Sequence, residues 1–360
     1  MKARPFVCFS KGNLSRLPIV SVALAACALL TLLPGTGPVH SAAALPPVKI
    51  GAAGPYSGDL SKIGLDGLNA IKMAVEEANA AGGVRGRKIE IVEADDAGDS
   101  SKAILVAEKL AMDRAVLGVV GPMNSSTAEA ALPTYQRAGL PIISQSATKP
   151  SLTEMGYKVM HRICPRDDAQ GPASAKFVVD VLKAKNVYII DDKTAYGQGL
   201  SDEVEAALKA SGIKTVRSQI TLEDRDFSPI LTRVKAARPD LLYLGLANPA
   251  QAASIIKQAA GLGISVRFMG GDGLKEKDQL IAGSAGLAEE MYVTTIGRDI
   301  TEVPEAAEFI RKFEGKFGAM SIFSGQTYEA TNILIDAMRR ASTDPTKLTR
   351  ALVMEALGKT

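Results

Sequence analysis

The sequence predicts an α/β protein with two lobes, each built on a parallel sheet flanked by helices. From residue 48 onward, short runs rich in Val and Ile alternate with segments of helical period, which is the order of β-α units in a parallel sheet. The alternation pauses over residues 147–168, a passage with prolines and charges, and then restarts. A length of 360 residues allows about two domains of roughly 150 residues each. We therefore expect a second lobe after the pause.

Each element is predicted from composition or periodicity. In the first helix one stripe is apolar and the charged residues fall elsewhere, so one face packs on a sheet and the other meets water. That stripe consists of Leu68, Ile71, Val75 and Ala78. The predicted strands are VKIGAAG (48–54), KIEIVEADD (88–96), LGVVGP (117–122), PIISQS (141–146), NVYIIDD (186–192), VRSQI (216–220), LLYLGL (241–246) and VRFMGGDG (266–273). The predicted helices cover 62–80, 100–113, 125–138, 169–184, 198–211, 229–237, 249–261, 304–317, 325–341 and 345–357.

Residues 1–44 have the order of a secretory signal peptide. A basic start is followed by an apolar segment at 17–33, a Pro/Gly stretch and SAAAL. Cleavage after Ala44 would place Ala42 and Ala44 at the two positions where a signal peptidase requires small residues. The segment Leu24–Cys27 also spells a lipoprotein box, so acylation of Cys27 is an alternative. A retained membrane anchor is a third option, although the apolar segment is at the short limit for spanning a bilayer.

Charge and cysteine usage exclude several classes of protein. The chain has 42 basic and 39 acidic residues, but four basic residues and no acid lie in the leader. The remainder has a net charge of −1, which gives a nucleic-acid-binding surface no support. Cys164 is the only cysteine after the leader, so an internal disulfide cannot form there. His161 is the only histidine there, which excludes sites that need two histidines from one chain.

Motifs for catalysis and cofactors fail their spacing tests. The first strand ends GAAG (51–54), without the glycine spacing of nucleotide loops, and no serine has the flanking glycines of a nucleophile elbow. We interpret His161, in the strand-like segment KVMHRIC, as structural. The acids Asp95, Asp96 and Asp99 could suggest a cation site, but we interpret them as a strand end that leads into a helix cap. We therefore expect no enzyme activity, no metal and no cofactor.

Two strand-to-helix junctions are rich in hydroxyl groups: GPMNSSTAE (121–129) and SQSATKPSLTE (144–154). Ligands of open parallel sheets bind outside the carboxyl ends of the strands, where helix N-termini present free N–H groups. A carboxylate fits such a place, and Ser125 and Thr148 can add hydroxyl donors.

The same junctions have an interpretation that needs no ligand. Ser126 with Glu129, and Ser151 with Glu154, have the spacing of capping boxes. The local spacing leaves both interpretations open.

Seven blocks follow one another along the chain: VKIGAAGPYSG, GLNAIKMAVEEANAAGGVRGRKIEIVEADDAGD, GVVGPMNSS, AGLPIISQSATKP, DAQGPASAKFV, DKTAYGQGL and FMGGDG. In this order they resemble the periplasmic binding proteins for leucine, isoleucine and valine. The similarity runs from about residue 48 to the C-terminus. It implies a type I periplasmic binding fold, in which two α/β lobes joined by hinge strands close on a ligand for an ABC transporter.

The resemblance also implies domain boundaries. Residues 45–166 and 296–340 would form lobe 1, and residues 167–295 would form lobe 2. Residues 341–360 would form a C-terminal helix. The family usually continues past that helix with a strand or two that complete the hinge, and this sequence lacks them.

Site residues are carried over position by position. Ser125 and Thr148 match the family residues that bind the α-carboxylate of the ligand, with the backbone of Ser146 and Ala147 beside them.

The other end of the ligand is assigned in the same way. Asp272 falls where the family commonly has an acid that pairs with the α-ammonium, and Tyr196 matches an aromatic residue that closes over the ligand. Both charges of a buried zwitterion need an ion-pair or hydrogen-bond partner, because an unpaired buried charge costs several kcal/mol.

Three positions depart from the family pattern. Ala247 stands where relatives for branched aliphatic ligands resemble one another in having a tyrosine, and Ile63 replaces another aromatic residue. Asp272 is also one methylene shorter than glutamate. The resemblance therefore implies a side-chain pocket that is wider or differently shaped.

The expected function is that of an extracytoplasmic receptor that captures an amino acid, branched-chain or related, and delivers it to an ABC transporter permease. We expect it to act as a monomer without nucleic acid. The alternatives are a receptor for an amine-free carboxylate such as an aromatic acid, and a sensor that signals to a membrane receptor.

Overall fold

The computed structural model describes residues 45–360 of the chain. These residues form two five-stranded sheets, and every strand pair in both sheets is parallel. Helices flank each sheet. The expected two-lobed α/β architecture is therefore confirmed.

The first sheet contains β1 (Val48–Gly54), β2 (Ile89–Asp95), β3 (Val116–Val120), β4 (Ile142–Ser144) and β5 (Met160–Arg162). Its order is β2-β1-β3-β4-β5, so the chain reverses direction across the sheet between β1 and β3. Such a switch point opens a crevice at the carboxyl ends of the strands. The helices between these strands are α1 (Ser61–Ala80), α2 (Ser100–Met112) and α3 (Ser125–Ala138).

The second sheet contains β6 (Asn186–Asp191), β7 (Lys214–Gln219), β8 (Leu241–Gly245), β9 (Arg267–Gly270) and β10 (Tyr292–Val293). Its order is β10-β9-β8-β6-β7. Its helices are α4 (Asp167–Phe177), α5 (Ala195–Ala210), α6 (Ser228–Ala237) and α7 (Pro249–Gly261).

The last three helices return to the first sheet. They are α8 (Ala307–Phe317), α9 (Ser324–Ala341) and α10 (Arg350–Leu357). Helix α9 packs on α1 and β3, and α10 packs on α9 and β3. Leu334 of α9 belongs to the same buried cluster as Ile50 and Val120. One core of the first lobe is thus assembled from two distant parts of the chain.

Four elements differ from the sequence-based expectation. The helix expected over 345–357 begins at Arg350, after a separate 3-10 turn over Pro345–Lys347. Strand β10 was not predicted, because two residues carry no alternation that could be recognised. The helix expected over 169–184 changes to a wider π-helical turn at Val178–Leu182 and ends at Lys183, which has a left-handed φ of 55°. The helix expected from 304 starts at Ala307, after a separate 3-10 turn over Pro304–Ala306.

The expected leader and its lipoprotein box lie outside the described residues and stay predictions. Within residues 45–360, none of the helices has both the length and the apolar composition to cross a membrane. Cys164 is free and buried. Burial raises the pKa of its thiol to about 12, so the reactive thiolate is scarce at neutral pH.

Replacing Leu334 by alanine tests the packing of α9 on the first sheet. Leu334 is fully buried and packs directly against Gly118 of β3. A Cβ atom added to Gly118 would lie only 2.6 Å from the Cδ1 atom of Leu334. We expect Leu334→Ala to lower the free energy of unfolding by about 2–5 kcal/mol, measured by denaturant unfolding. The control Leu105→Ala, at a side chain that is 64% exposed on α2, should change it by less than about 0.5 kcal/mol. Equal effects of the two substitutions would contradict this account of the core.

Candidate functional site

The loop between β3 and α3 forms one wall of the crevice. Gly121 has a φ of 106°, and a Cβ at this position would lie 2.0 Å from the carbonyl oxygen of Ala53. Only glycine therefore allows this close approach. The loop leads to Ser125, the first residue of α3, which is 1% exposed. Asn124 precedes it as the N-cap but makes no side-chain capping bond, so free N–H groups remain at this helix end.

The loop after β4 is tied to the loop after β3. The Ser146 hydroxyl donates to the carbonyl oxygen of Met123 over 2.9 Å. The backbone N–H of Lys149 donates to the Ser125 hydroxyl oxygen over 3.3 Å. These bonds hold Ser125 and Ser146 side by side at the carboxyl ends of neighbouring strands.

The opposite wall comes from the second sheet. Asp272 follows β9, is 1% exposed and accepts a hydrogen bond from the Tyr196 hydroxyl over 2.8 Å. The same hydroxyl oxygen accepts from the backbone N–H of Gly273 over 3.1 Å. A Cβ on Gly271 would lie 2.5 Å from that oxygen, so glycine makes room for the tyrosine. Burial raises the pKa of Asp272 above its ordinary value, and the neighbouring Gln170 amide and Tyr196 hydroxyl oppose the rise.

A cavity of about 40 Å³ lies between these walls. The structure brings six of the eight predicted site residues to its lining: Ile63, Ser125, Ser146, Tyr196, Ala247 and Asp272. The remaining lining residues are Leu60, Met123, Asn124, Gly273 and Phe323.

Ala147 and Thr148 are buried behind this lining. The carbonyl oxygen of Ala147 accepts from the Arg162 guanidinium over 3.0 Å and from the Cys164 thiol over 3.7 Å. The Thr148 hydroxyl is fully buried and makes no hydrogen bond of normal geometry within residues 45–360. It lies near the carboxyl of Asp167, whose backbone N–H donates to the Thr148 carbonyl oxygen over 3.1 Å.

Asp167 is a second buried acid that the sequence reasoning missed. It is the first residue of α4 and is fully buried, and neither carboxyl oxygen has a hydrogen-bond partner among the described residues. Burial raises the pKa of Asp167 to about 7; the Thr148 hydroxyl opposes the rise and the charge of Asp272 adds to it. The block DAQGPASAKFV, which carries part of the family resemblance, begins one residue later at Asp168. An acid at a helix start is also ordinarily explained by the helix dipole, which favours negative charge there.

Phe323 is a further residue without a usable sequence signal. It lines the cavity with a left-handed φ of 71°, a conformation that is rare for a bulky residue. It packs with Ile63, Met123, Cys164 and Ile296, which are distant in sequence. Neither its backbone conformation nor these contacts leave a local pattern in the chain.

The two lobes contact each other across the mouth of the crevice. The backbone N–H of Ala195 donates to the Ser126 hydroxyl oxygen over 3.0 Å. The side-chain amide of Asn248 donates to the Asp59 carboxylate over 3.0 Å. The lobes are therefore in a closed arrangement.

The capping-box interpretation is wrong at both junctions. The N-cap of α3 is Asn124, and the Ser126 hydroxyl oxygen is bonded to Ala195. Glu129 instead forms an ion pair with Lys149. At the other junction, the buried Ser151 hydroxyl has no partner among the described residues, and Glu154 forms an ion pair with Arg166.

His161 and the acid cluster have structural surroundings. The Nδ1 atom of His161 contacts the carbonyl oxygens of Ile142 and Val159 at 3.3 and 3.2 Å, and burial lowers its pKa. Asp99 caps α2 by accepting from the N–H of Lys102 over 2.8 Å. Across residues 45–360, the side chains form no cluster of three or more groups that could hold a metal ion.

Two closed α/β lobes around a lined cavity, with polar groups at both of its ends, define a substrate-binding protein of the type I periplasmic class. A profile of the periplasmic binding protein family matches residues 47–360. The chain belongs to this family, which consists of substrate-binding proteins.

Relatives with described ligands share most of the chain. An amino acid binding protein of Pseudomonas aeruginosa is 33% identical over 306 residues, covering 84% of this chain and 82% of the relative. The leucine-, isoleucine-, valine-, threonine- and alanine-binding protein of the same organism is 33% identical, covering 85% and 82%. The crystal structure of LivJ from Streptococcus pneumoniae with isoleucine superposes with a TM-score of 0.78 at 28% identity, covering 87% and 88%.

Replacing Asp167 by asparagine should change how stability depends on pH. Because the pKa of Asp167 is about 7 in the folded chain and near 3.9 in an unfolded one, the folded state holds about one extra proton between pH 5 and 6. The free energy of unfolding therefore falls as pH rises through this range. We expect Asp167→Asn to reduce this slope by about 1.4 kcal/mol per pH unit, measured by denaturant unfolding at several pH values.

Glu108→Gln, at an exposed position of α2, is the matched control and should leave the slope as it is. Asp96, whose pKa burial raises to about 6, accounts for part of the slope that remains. An unchanged slope in Asp167→Asn would show that this carboxyl is ionised in the folded protein.

Proposed function

We propose that this protein is an extracytoplasmic receptor that captures an amino acid between its two lobes and delivers it to an ABC transporter. Family membership implies an extracytoplasmic location. The observation that carries the proposal is one cavity with hydroxyl groups and a helix end on one wall and a buried acid on the other.

The α-carboxylate would bind at the start of α3. The uncapped N-terminus of α3 and the hydroxyls of Ser125 and Ser146 supply donors there. Hydrogen bonds to a charged group contribute about 1.5–3 kcal/mol each. Thr148 and Ala147 would act by supporting this wall from behind, since both are buried outside the lining.

The α-ammonium would bind at Asp272. Within residues 45–360 no lysine or arginine forms an ion pair with this carboxylate, whose partner is the neutral hydroxyl of Tyr196. A buried carboxylate of this kind is stabilised by a cation of the ligand. An amine-free acid would leave Asp272 unpaired, so the geometry favours an amino acid.

The middle of the cavity is apolar. Leu60, Ile63, Met123 and Phe323 provide a surface for the ligand's side chain. Burial of apolar area there contributes roughly 25 cal/mol per Å². One relative binds leucine, isoleucine, valine, threonine and alanine. This supports a ligand whose side chain is apolar where it leaves the Cα atom and contacts this surface.

Calorimetry of Asp272→Asn tests the proposal. We expect the wild-type protein to bind an amino acid and the variant to bind it more weakly by about 2–5 kcal/mol, because the ammonium loses its counter-charge. Asp278→Asn, at an exposed acid a few residues along the chain, should bind like the wild type. An amine-free acid that binds equally well to the wild type and Asp272→Asn would contradict the assignment of an amino acid.

Ser126→Ala tests whether closure retains the ligand. The variant loses the acceptor for the N–H of Ala195. We expect the dissociation constant to rise about 2- to 10-fold, as one hydrogen bond is worth about 0.5–1.5 kcal/mol, and the rise should come from faster release in stopped-flow measurements. Ser254→Ala on α7, whose hydroxyl bonds only within its own helix, should release the ligand at the wild-type rate. Unchanged release from Ser126→Ala would argue against a role for this contact.

A further inference from the structure

A second cavity of about 160 Å³ opens next to the ligand cavity. We call it the outer cavity. The two cavities share five lining residues: Leu60, Asn124, Ser125, Tyr196 and Ala247. The outer cavity continues to the mouth between the lobes, where Asp59 and Asn248 line it. A ligand held at Ser125 and Asp272 therefore has space to extend in this direction.

Ala247 stands at the junction of the two cavities. Its backbone N–H donates to the carboxylate of Asp192 over 2.7 Å, and the next residue, Asn248, caps helix α7. The position of its methyl group is therefore set by the fold. A larger side chain at this position would narrow the passage, because neighbouring backbone atoms cannot easily move away.

An unused hydrogen-bond acceptor lies at the same junction. The Oδ1 atom of Asn124 is buried and has no partner within the described part of the chain, and this side chain caps no helix N–H. A buried acceptor without a partner costs free energy. Farther out, the Asp59 carboxylate accepts from Asn248, while the Arg225 guanidinium is 3.7 Å away. The path therefore offers an acceptor at the junction, Asn124, and another at the mouth, Asp59.

We propose that the ligand is an amino acid with a long side chain that passes Ala247 and ends in an N–H donor, an amide or a cation, received by Asn124 and Asp59. This inference rests on the function proposed above and narrows its substrate class. A short aliphatic side chain would stay in the inner cavity and leave the acceptor of Asn124 unpaired.

Isothermal titration calorimetry with single amino acids tests this assignment. The probes are glutamine, lysine and arginine as long donors, and alanine, valine and leucine as short aliphatic ligands. We expect at least one long donor to bind at least 10-fold more tightly than valine. Ala247→Leu should lower the ratio of long-donor to valine affinity at least 10-fold. Ala250→Leu, at an exposed position of α7, should leave that ratio unchanged.

Variants of Asn124 distinguish the two kinds of donor. Asn124→Ala should lower the same affinity ratio at least 3-fold, since it removes the acceptor. Asn124→Asp should raise the ratio for lysine or arginine if the donor is a cation, and should not raise it for glutamine.

Two results would overturn the assignment, and they are distinguishable. In the first, valine or leucine binds tightly and Ala247→Leu leaves the ratio of long-donor to valine affinity unchanged. This result would contradict the long side chain but not the receptor function. Binding of none of the six amino acids would remove the proposed function together with the inference.

Discussion

The burial of Asp272 is the constraint on which the rest of the site depends. This carboxyl is almost completely removed from water, yet its hydrogen-bond partner is the neutral hydroxyl of Tyr196. Such a group must either keep its proton or receive a cation, because an unpaired buried charge is costly. Asp167 is a second buried acid in the same region, and the charge of Asp272 raises its pKa, so the two carboxyls disfavour being ionised together. The ammonium of the proposed amino acid ligand would supply that cation.

The parallel topology explains how these groups meet. The carboxyl ends of parallel strands lie at one edge of a sheet, so loops that are distant in sequence become neighbours. Ser125 follows β3 of the first sheet, whereas Tyr196 and Asp272 follow β6 and β9 of the second. Neither lobe alone holds both the donors that a carboxylate needs and the acceptor that an ammonium needs. The contact between Ser126 and Ala195 belongs to the same arrangement, since closing the lobes is what completes the site.

The β-α alternation, and with it the fold class, was readable because each element is long and regular enough to show its period. Position-by-position resemblance also led to Ser125, Tyr196 and Asp272, which line one cavity. It did not reveal that Thr148 lies behind the wall, since one residue along a loop can face either side. Phe323 was missed because its left-handed backbone and its long-range packing leave no local pattern.

The sequence by itself determined the two α/β lobes, the absence of cofactor motifs and the polar residue types available at the strand ends. These properties are local, so they can be read from composition, spacing and order along the chain. Only the tertiary structure decided which hydroxyls reach the cavity, that Asp167 lies near Asp272, and that Ala247 separates two spaces. Those properties depend on burial and on side-chain direction, which are set by contacts between residues far apart in the chain.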